Sequence, residues 1–300
     1  MKNILLLGLG AIGSLVASKF ADSSIDIDIL LDEERYDRYS MDNFYINSKE
    51  YKFNYVTPNS YGKKADFVII ATKYNQLPHA IEQLKGLIKK DCTIMSLLNG
   101  IDSEEIIGKT LGIEKCVYAF ITGTDATRAG NQNHFTADGI IFFGEKNGAE
   151  SARTKEIAAI FEKIGMEYKL SDDIITKQWK KYMINIGMNQ VSAVLNATYG
   201  DFLKSPEIIE LTHKTMREAV AVAQAMGINL QEDDVLASTM FLGKFSPDGM
   251  TSMLQDVRAK RKTEVEMLAE TLIRMSKELN VPTPINEVLY LQLKAVESMY

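Results

Sequence analysis

Between residues 181 and 189 the chain reads Lys181-Tyr182-Met183-Ile184-Asn185-Ile186-Gly187-Met188-Asn189, an apolar run in which a strong polar group returns at every fourth position. On an α-helix Lys181, Asn185 and Asn189 fall within an arc of about 80° and share one face. Such a stripe must be solvated or hydrogen-bonded, since burial without partners costs about 1–3 kcal/mol per group. An ordinary exposed face is the plain alternative. Apolar helices that contain glycine more often pack inside a domain, so a stripe lining a cleft fits better. There a lysine ammonium can hydrogen-bond a keto oxygen and protonate it as hydride reaches the carbon, while the two amides hold other polar groups of the substrate. Lys180 points elsewhere.

A second constellation opens the chain. Ile4-Leu5-Leu6-Leu7, a short all-apolar run suited to a strand buried on both faces, enters Gly8-Leu9-Gly10-Ala11-Ile12-Gly13 directly. In this GxGxxG pattern Gly8 allows the tight turn, Gly10 lets a pyrophosphate approach the backbone, and Gly13 lets the next helix pack closely on the strand. Ile12, Leu15, Val16 and Phe20 lie on one side of a helix over Ala11 to Ala21, whose N-terminus would face the phosphates. The alternation Ile25, Ile27, Ile29, Leu31 then predicts a second strand closing at Asp32. A carboxylate there, about 20 residues past the glycines, accepts from the ribose 2′-hydroxyl of NAD and repels the 2′-phosphate of NADP. Arg35, three residues on, could instead swing toward such a phosphate. A glycine turn needed only for helix packing would leave the acid without a purpose.

Those two constellations need elements to carry them. Further strands are predicted at Phe67–Ala71, Thr93–Leu97 and Val117–Ile121, with a helical pattern (Leu77, Ile81, Leu84, Ile88) between the first two. Ligands in open parallel sheets lie beyond the carboxyl ends of the strands, which singles out Thr72-Lys73 and Asn99-Gly100. Their plain readings are a solvated loop lysine and a turn dipeptide. The stretch 131–148 predicts antiparallel strands at a sheet edge, and Glu156 to Ile164 a helix. From Asp172 onward the pattern is helical, with Ser205-Pro206 and Thr283-Pro284 as helix starts and Gly227 as a stop. The fold class is therefore α/β: an N-terminal Rossmann-type dinucleotide-binding domain (1–168) and a mainly α-helical domain (169–300) expected to supply the substrate side of a cleft. The polar segment Thr251 to Glu264 also draws attention, with solvated surface as its plain reading.

Composition narrows the classes. With 46% hydrophobic and 25% charged residues over 300 positions, the chain is globular, long enough for two domains. A net charge of −6, with basic residues spread throughout, offers no footprint for nucleic acid. Cys92 and Cys116 are too few for a disulfide framework and not spaced as metal ligands, and His79, His134 and His213 stand apart, so no metal or catalytic triad is expected. No apolar run reaches membrane-spanning length, and a cytoplasmic protein is expected. Met250, Met253, Met267 and Met275 would serve a partner-binding protein only if exposed; at such spacing core is commoner.

Across nearly its whole length the sequence resembles the ketopantoate reductase (2-dehydropantoate 2-reductase) family, through Gly8–Gly13, Ala71-Thr72-Lys73, Leu98-Asn99-Gly100, Lys181 with Asn185 and Asn189, Ser252-Met253-Leu254-Gln255-Asp256 and Thr263-Glu264. The resemblance implies reduction of a small 2-oxo acid, ketopantoate to (R)-pantoate on the way to pantothenate and coenzyme A, with NADP as the family norm. It implies Lys181 as general acid, Glu264 as active-site glutamate, Asn185, Asn189 and Ser252 as substrate contacts, Lys73 and Asn99 on the cofactor side, and a possible homodimer. Two positions depart from the pattern. Asp32 stands where NADP-dependent members carry arginine, and Tyr199 where the family often has a substrate-contacting asparagine. Both favour the alternative of a NAD-dependent (R)-2-hydroxyacid dehydrogenase for a bulkier acid, since an aromatic ring packs on apolar groups. A non-catalytic nucleotide-binding protein would have no use for the polar stripe. On one straight helix Ser252 and Glu264 would sit about 18 Å apart, too far for one small substrate, so a break is expected between Asp256 and Thr263.

Overall fold

A computed structural model describes residues 1–125 and 127–300, which form two compact units, Met1–Ile174 and Ile175–Tyr300. The first contains, in chain order, strands β1 (Ile4–Leu7), β2 (Asp28–Leu30), β3 (Phe44–Ile46), β4 (Lys49–Tyr51), β5 (Asn54–Val56), β6 (Ala65–Ile70), β7 (Ile88–Ser96), β8 (Cys116–Thr124), β9 (Thr127–Ala129), β10 (Gln132–His134), β11 (Asp138–Gly144) and β12 (Tyr168–Leu170). Its helices are α1 (Ala11–Ala21), α2 (Glu33–Met41), α3 (Leu77–Leu84), α4 (Ser103–Leu111) and α5 (Ala152–Lys163). Among the described residues the main sheet runs β12-β11-β8-β7-β6-β1-β2-β5, parallel from β8 through β5, and a smaller sheet runs β4-β3-β10-β9.

The apolar run of β1 is fully buried because β2 pairs with it on one side and β6 on the other. This central position makes its carboxyl end a place where a ligand can meet several strand ends. Helix α1 buries Leu15, Val16, Ala17 and Phe20 in a core that also holds Ile4, Leu6, Ile29 and Ile69. The crossing is close enough to exclude any side chain: a Cβ on Gly13 would lie 1.9 Å from the Gly8 carbonyl oxygen, and one on Gly8, at φ +97°, 2.5 Å from the Ala71 oxygen.

Several elements differ in extent from the sequence expectation. The ladder of β2 begins only at Asp28, opposite Leu5, so Ile25 precedes the strand. The periodicity through Ile88 runs past its helix, since α3 stops at Leu84, Gly86 turns at φ +77° and Ile88 opens β7. β11 is antiparallel to β8, as expected of 131–148, but β12 pairs outside it, and β10 joins the smaller sheet. Because β12 belongs to the sheet, the first unit continues to Ile174.

The second unit is helical: α6 (Ile174–Leu195, beginning at the boundary), α7 (Tyr199–Lys204), α8 (Pro206–Ala225), α9 (Glu232–Ser238), α10 (Ser252–Arg258), a π-helical turn at Glu266–Glu270, α11 (Thr271–Leu279) and α12 (Pro284–Glu297). Ser205 caps α8 with its side chain, accepting from the Ile208 N–H at 3.3 Å, and Pro206 follows at the first turn. Gly187 lets α6 and α8 approach, since a Cβ there would lie 2.5 Å from Met216 Cγ. Of the four methionines singled out in the sequence, Met253 and Met267 are buried in the core and Met250 and Met275 are half-buried. Among the described residues no helix is long and apolar enough to cross a membrane.

Gly13→Ala is expected to cost about 1–3 kcal/mol, the usual penalty for overpacking a filled contact. Denaturant unfolding of the first unit's signal checks it, and an unchanged midpoint would mean that α1 does not sit as closely on β1 as described.

Candidate active site

Gly8 follows β1 directly and Gly10 is the N-cap of α1, where no side chain caps the helix. The first α-helical bond runs from the Ser14 N–H to the Gly10 carbonyl, at 3.0 Å, so the N–H groups of the preceding turn, over Ala11, Ile12 and Gly13, have no acceptor within the helix. Leu9 is buried beneath this turn. A Cβ built on Gly10 meets nothing closer than the Ala71 oxygen at 4.0 Å, which leaves the helix start approachable. Beside it, past β6, Thr72 holds a buried Oγ1 with no hydrogen-bond partner among the described residues. Unmet donors at a helix N-terminus and an orphaned hydroxyl suit a ligand rich in acceptor oxygens, and a dinucleotide's pyrophosphate is one.

Lys73 is exposed after β6 and Asn99 half-buried after β7. The two turns are tied by Tyr74, whose hydroxyl donates to Asp102 at 2.8 Å across 28 residues of sequence. Neither Tyr74 nor Asp102 had a sequence signal, because the link exists only between neighbouring strand ends. Asp32 sits at the end of β2 as the N-cap of α2, accepting from the Arg35 N–H at 2.8 Å. Its other oxygen lies 3.5 Å from Arg35 Nε, so the guanidinium is drawn to the carboxylate. Asp32 therefore has a structural task of its own as the cap of α2.

In the second unit α6 keeps Lys181, Asn185 and Asn189 half-buried on one face while Tyr182, Met183, Ile186, Gly187 and Gln190 are buried. Lys180 turns away and pairs with Asp234. Ser192, one turn beyond Asn189 on α6, donates to the Asn189 carbonyl at 3.1 Å and shares a hydrogen bond with Thr251. Thr251 caps α10 by accepting from the Leu254 N–H, which sets the exposed Ser252 at that helix's first position. Thr251, the residue before Ser252, is thus tied to α6 one turn beyond Asn189, by a Ser192–Thr251 pair that no spacing in the sequence announced.

The expected break between Ser252 and Glu264 is present. α10 ends at Arg258, Lys260 takes the left-handed conformation at φ +51°, and the Arg261 N–H returns to the Asp256 carbonyl at 2.9 Å. Arg261 also reaches the Asp256 carboxylate, with Nε at 2.9 Å, which closes the turn. Half-buried Glu264 then leads into the π-helical turn. Burial presses the Lys181 amine down to about 8, and the Glu264 carboxylate, acting in the opposite direction, keeps it from falling further. A lysine so placed changes protonation near neutral pH, which is what a proton donor to a developing alkoxide requires.

Tyr199 opens α7 and stacks on Phe245, with ring centroids 4.8 Å apart. Its N–H donates to the Gly249 carbonyl at 3.0 Å, three residues before Ser252.

The arrangement has relatives. The family described as "Ketopantoate reductase PanE/ApbA" matches residues 4–148, and its C-terminal counterpart matches residues 173–297. A 2-dehydropantoate 2-reductase of Pyrococcus horikoshii is 24% identical over 99% of this chain and 98% of its own length. One of a Nostoc species is 27% identical over 97% and 94%. Among solved structures, a D-mandelate dehydrogenase in complex with NADH superposes with a TM-score of 0.89 at 22% identity, covering 99% of both chains. The 2-dehydropantoate 2-reductase of Geobacter metallireducens does so with 0.86 at 21%, covering 98% and 99%. At these identities the structural likeness shows a shared fold. The two family matches together span both units, and with them the chain belongs to the ketopantoate reductase family, as an NAD(P)-dependent oxidoreductase of that type.

Proposed function

We propose that the protein reduces a small 2-oxo acid to its (R)-2-hydroxy acid, with ketopantoate, giving (R)-pantoate, as the leading substrate. The observation that carries this reading is the Lys181 amine, pressed down to about 8 beside Glu264, on the same helical face as Asn185 and Asn189. A reduced nicotinamide dinucleotide supplies hydride to C2 of the acid. Gly8, Leu9, Gly10, Ala11, Ile12 and Gly13 would hold its pyrophosphate by main-chain N–H groups, with Thr72, Lys73 and Asn99 at the neighbouring strand ends and Asp32 on the ribose. Lys181 hydrogen-bonds the keto oxygen and gives it a proton as the alkoxide forms. Asn185, Asn189 and Ser252 would orient the carboxylate and the remaining hydroxyl, and Glu264 would hold Lys181 in its charged form.

A second reading keeps the chemistry and changes the substrate. Tyr199 and Phe245 form a stacked aromatic pair beside the segment leading to Ser252, a surface suited to an apolar or aromatic side chain and not to pantoate's hydroxyl. The Asp32 carboxylate, placed against a 2′-phosphate, leans the same way, toward NADH. On this reading the protein is a NAD-dependent (R)-2-hydroxyacid dehydrogenase for a bulkier acid.

Initial rates of NADH and NADPH oxidation with ketopantoate, phenylglyoxylate and 2-oxoisocaproate separate the two. Preference for NADPH and ketopantoate supports the first, preference for NADH and a bulkier acid supports the second, and no turnover with any pair defeats both. Lys181→Ala is expected to lower kcat by about 10²–10⁴-fold, the range of general acid catalysis, with coenzyme binding by fluorescence unchanged. Undiminished turnover in that variant would leave a nucleotide-binding protein without this chemistry. Because the donor must be protonated, kcat for reduction should fall as pH rises through about 8, and the reverse oxidation should rise over the same range. A reduction rate flat from pH 7 to 9 would exclude Lys181 as the acid.

A further inference from the structure

Glu264 is held from two sides by groups that carry no part of the reaction proposed above. On its N-terminal side Thr263 donates both its N–H and its hydroxyl to the same oxygen of Glu297, at 2.8 and 2.7 Å. The Thr263 hydroxyl in turn accepts from the Val265 N–H at 3.2 Å, so the residues on both flanks of Glu264 are fixed through one side chain. Glu297 is the last residue of α12, its side chain only 5% exposed, and its second oxygen pairs with Lys294 at 3.1 Å. Lys294 also pairs with Glu266, two residues past Glu264. Burial alone would push the Glu297 carboxyl up, yet its Thr263 donors and Lys294 outweigh that and hold it below the ordinary carboxylate range.

On its C-terminal side the Glu264 carbonyl accepts from the Leu268 N–H at 3.0 Å, and the Leu268 carbonyl, inside the π-helical turn, accepts from the Tyr182 hydroxyl at 2.5 Å. π-Helical turns are wider than α-turns, displace the main-chain bonding pattern and recur at functional sites. Tyr182 is wholly buried and adjoins Lys181 on α6. One chain of hydrogen bonds therefore runs from the residue beside Lys181 to the backbone of Glu264, and a second from Glu264's preceding residue to α12. Packing alone would be met by apolar contacts. A buried carboxylate is costly unless charge and hydrogen-bond donors satisfy it, and two of the donors that satisfy Glu297 come from Thr263, the residue before Glu264.

We infer that Glu297 and Tyr182 are positioning residues, which clamp the backbone around Glu264 from α12 and from α6 and so fix its carboxylate relative to Lys181. The inference rests on the reading that Lys181 and Glu264 serve the reduction, and it assigns the C-terminal helix a share in catalysis without contact with substrate.

Two readouts on the full-length protein test it: kcat and coenzyme KM with the preferred 2-oxo acid, and the titration midpoint of Lys181 from its side-chain ¹³C resonance in the absence of substrate, assigned with Lys181→Arg. In Glu297→Ala, kcat should fall by about tenfold or more with coenzyme KM within about twofold, and the Lys181 midpoint should move down by about 0.5 as the Glu264 charge retreats. Glu297→Gln, which keeps an oxygen for both Thr263 donors, should recover most of the loss, and Tyr182→Phe should behave as Glu297→Ala does. An unchanged midpoint and kcat in folded Glu297→Ala and Tyr182→Phe overturns the clamp, as does equal loss in Glu297→Gln and Glu297→Ala, which would assign the effect to the charge on Lys294. If Glu297→Ala does not fold, Glu297→Asp, which withdraws the carboxylate from Thr263 by one methylene, decides by the same two readouts. The midpoint needs no turnover, so a protein inactive toward every acid whose Lys181 midpoint still moves in these variants would overturn the reductase reading and leave the clamp standing.

Discussion

A half-buried ammonium with a carboxylate within electrostatic reach is the constraint around which the second unit is arranged. Desolvation drives the Lys181 proton off and Glu264 draws it back, and the balance near 8 exists only while the two stay in register. Their separation along the chain is 83 residues, so no local propensity can hold that register. It is held by α6 packing on α8 at Gly187, by the closed turn after α10, and by the hydrogen bonds that flank Glu264. Buried polar side chains elsewhere in the same unit serve the same rigidity. Gln190 donates to Asn286, and Asn286 in turn donates to Glu218, which joins α6, α12 and α8 by directional bonds. Apolar packing alone tolerates small slips, whereas such a network does not.

The first unit solves a different problem, that of exposing main-chain donors without leaving a helix end unstable. The four apolar residues of β1 bury completely between two parallel neighbours, and that burial anchors the turn at Gly8 and the start of α1. Because Gly8 and Gly13 have no side chain, α1 presses close on the strand and its uncapped N-terminus stays open. Thr72 contributes a buried hydroxyl at the same level. Polar groups left in this way are costly in an isolated protein and useful in one that receives a ligand with acceptor oxygens.

The two residues on which the proposed choice of coenzyme and acid turns already have internal partners. Asp32 caps α2 and draws Arg35, so one carboxylate stabilises a helix start and holds a guanidinium beside it. Tyr199 stacks on Phe245 while its backbone holds the segment before Ser252. On the proposed reading each of these residues couples local stability to recognition, so that an exchange at either position would act on both.

By itself the sequence determined the layout: a central buried strand, the glycine turn into α1, the alternating first unit, the helical second unit and the polar face of α6. These follow from period, turn chemistry and helix geometry, which are local properties, and the resemblance to a reductase family could be read from the same short blocks. The need for a break between Ser252 and Glu264 was also legible, since the rise of a helix forbids the alternative. Tertiary structure alone decided the rest. The end of α3 before Ile88 and the π-helical turn are local departures from the helical pattern, whereas the passage of β10 into a second sheet, the Tyr74–Asp102 and Ser192–Thr251 links and the anchoring of Thr263 on Glu297 join residues distant in sequence. Their energies arise only when separate elements meet, and the proton affinity of Lys181 belongs with them, because burial and the approach of Glu264 are properties of the packed chain.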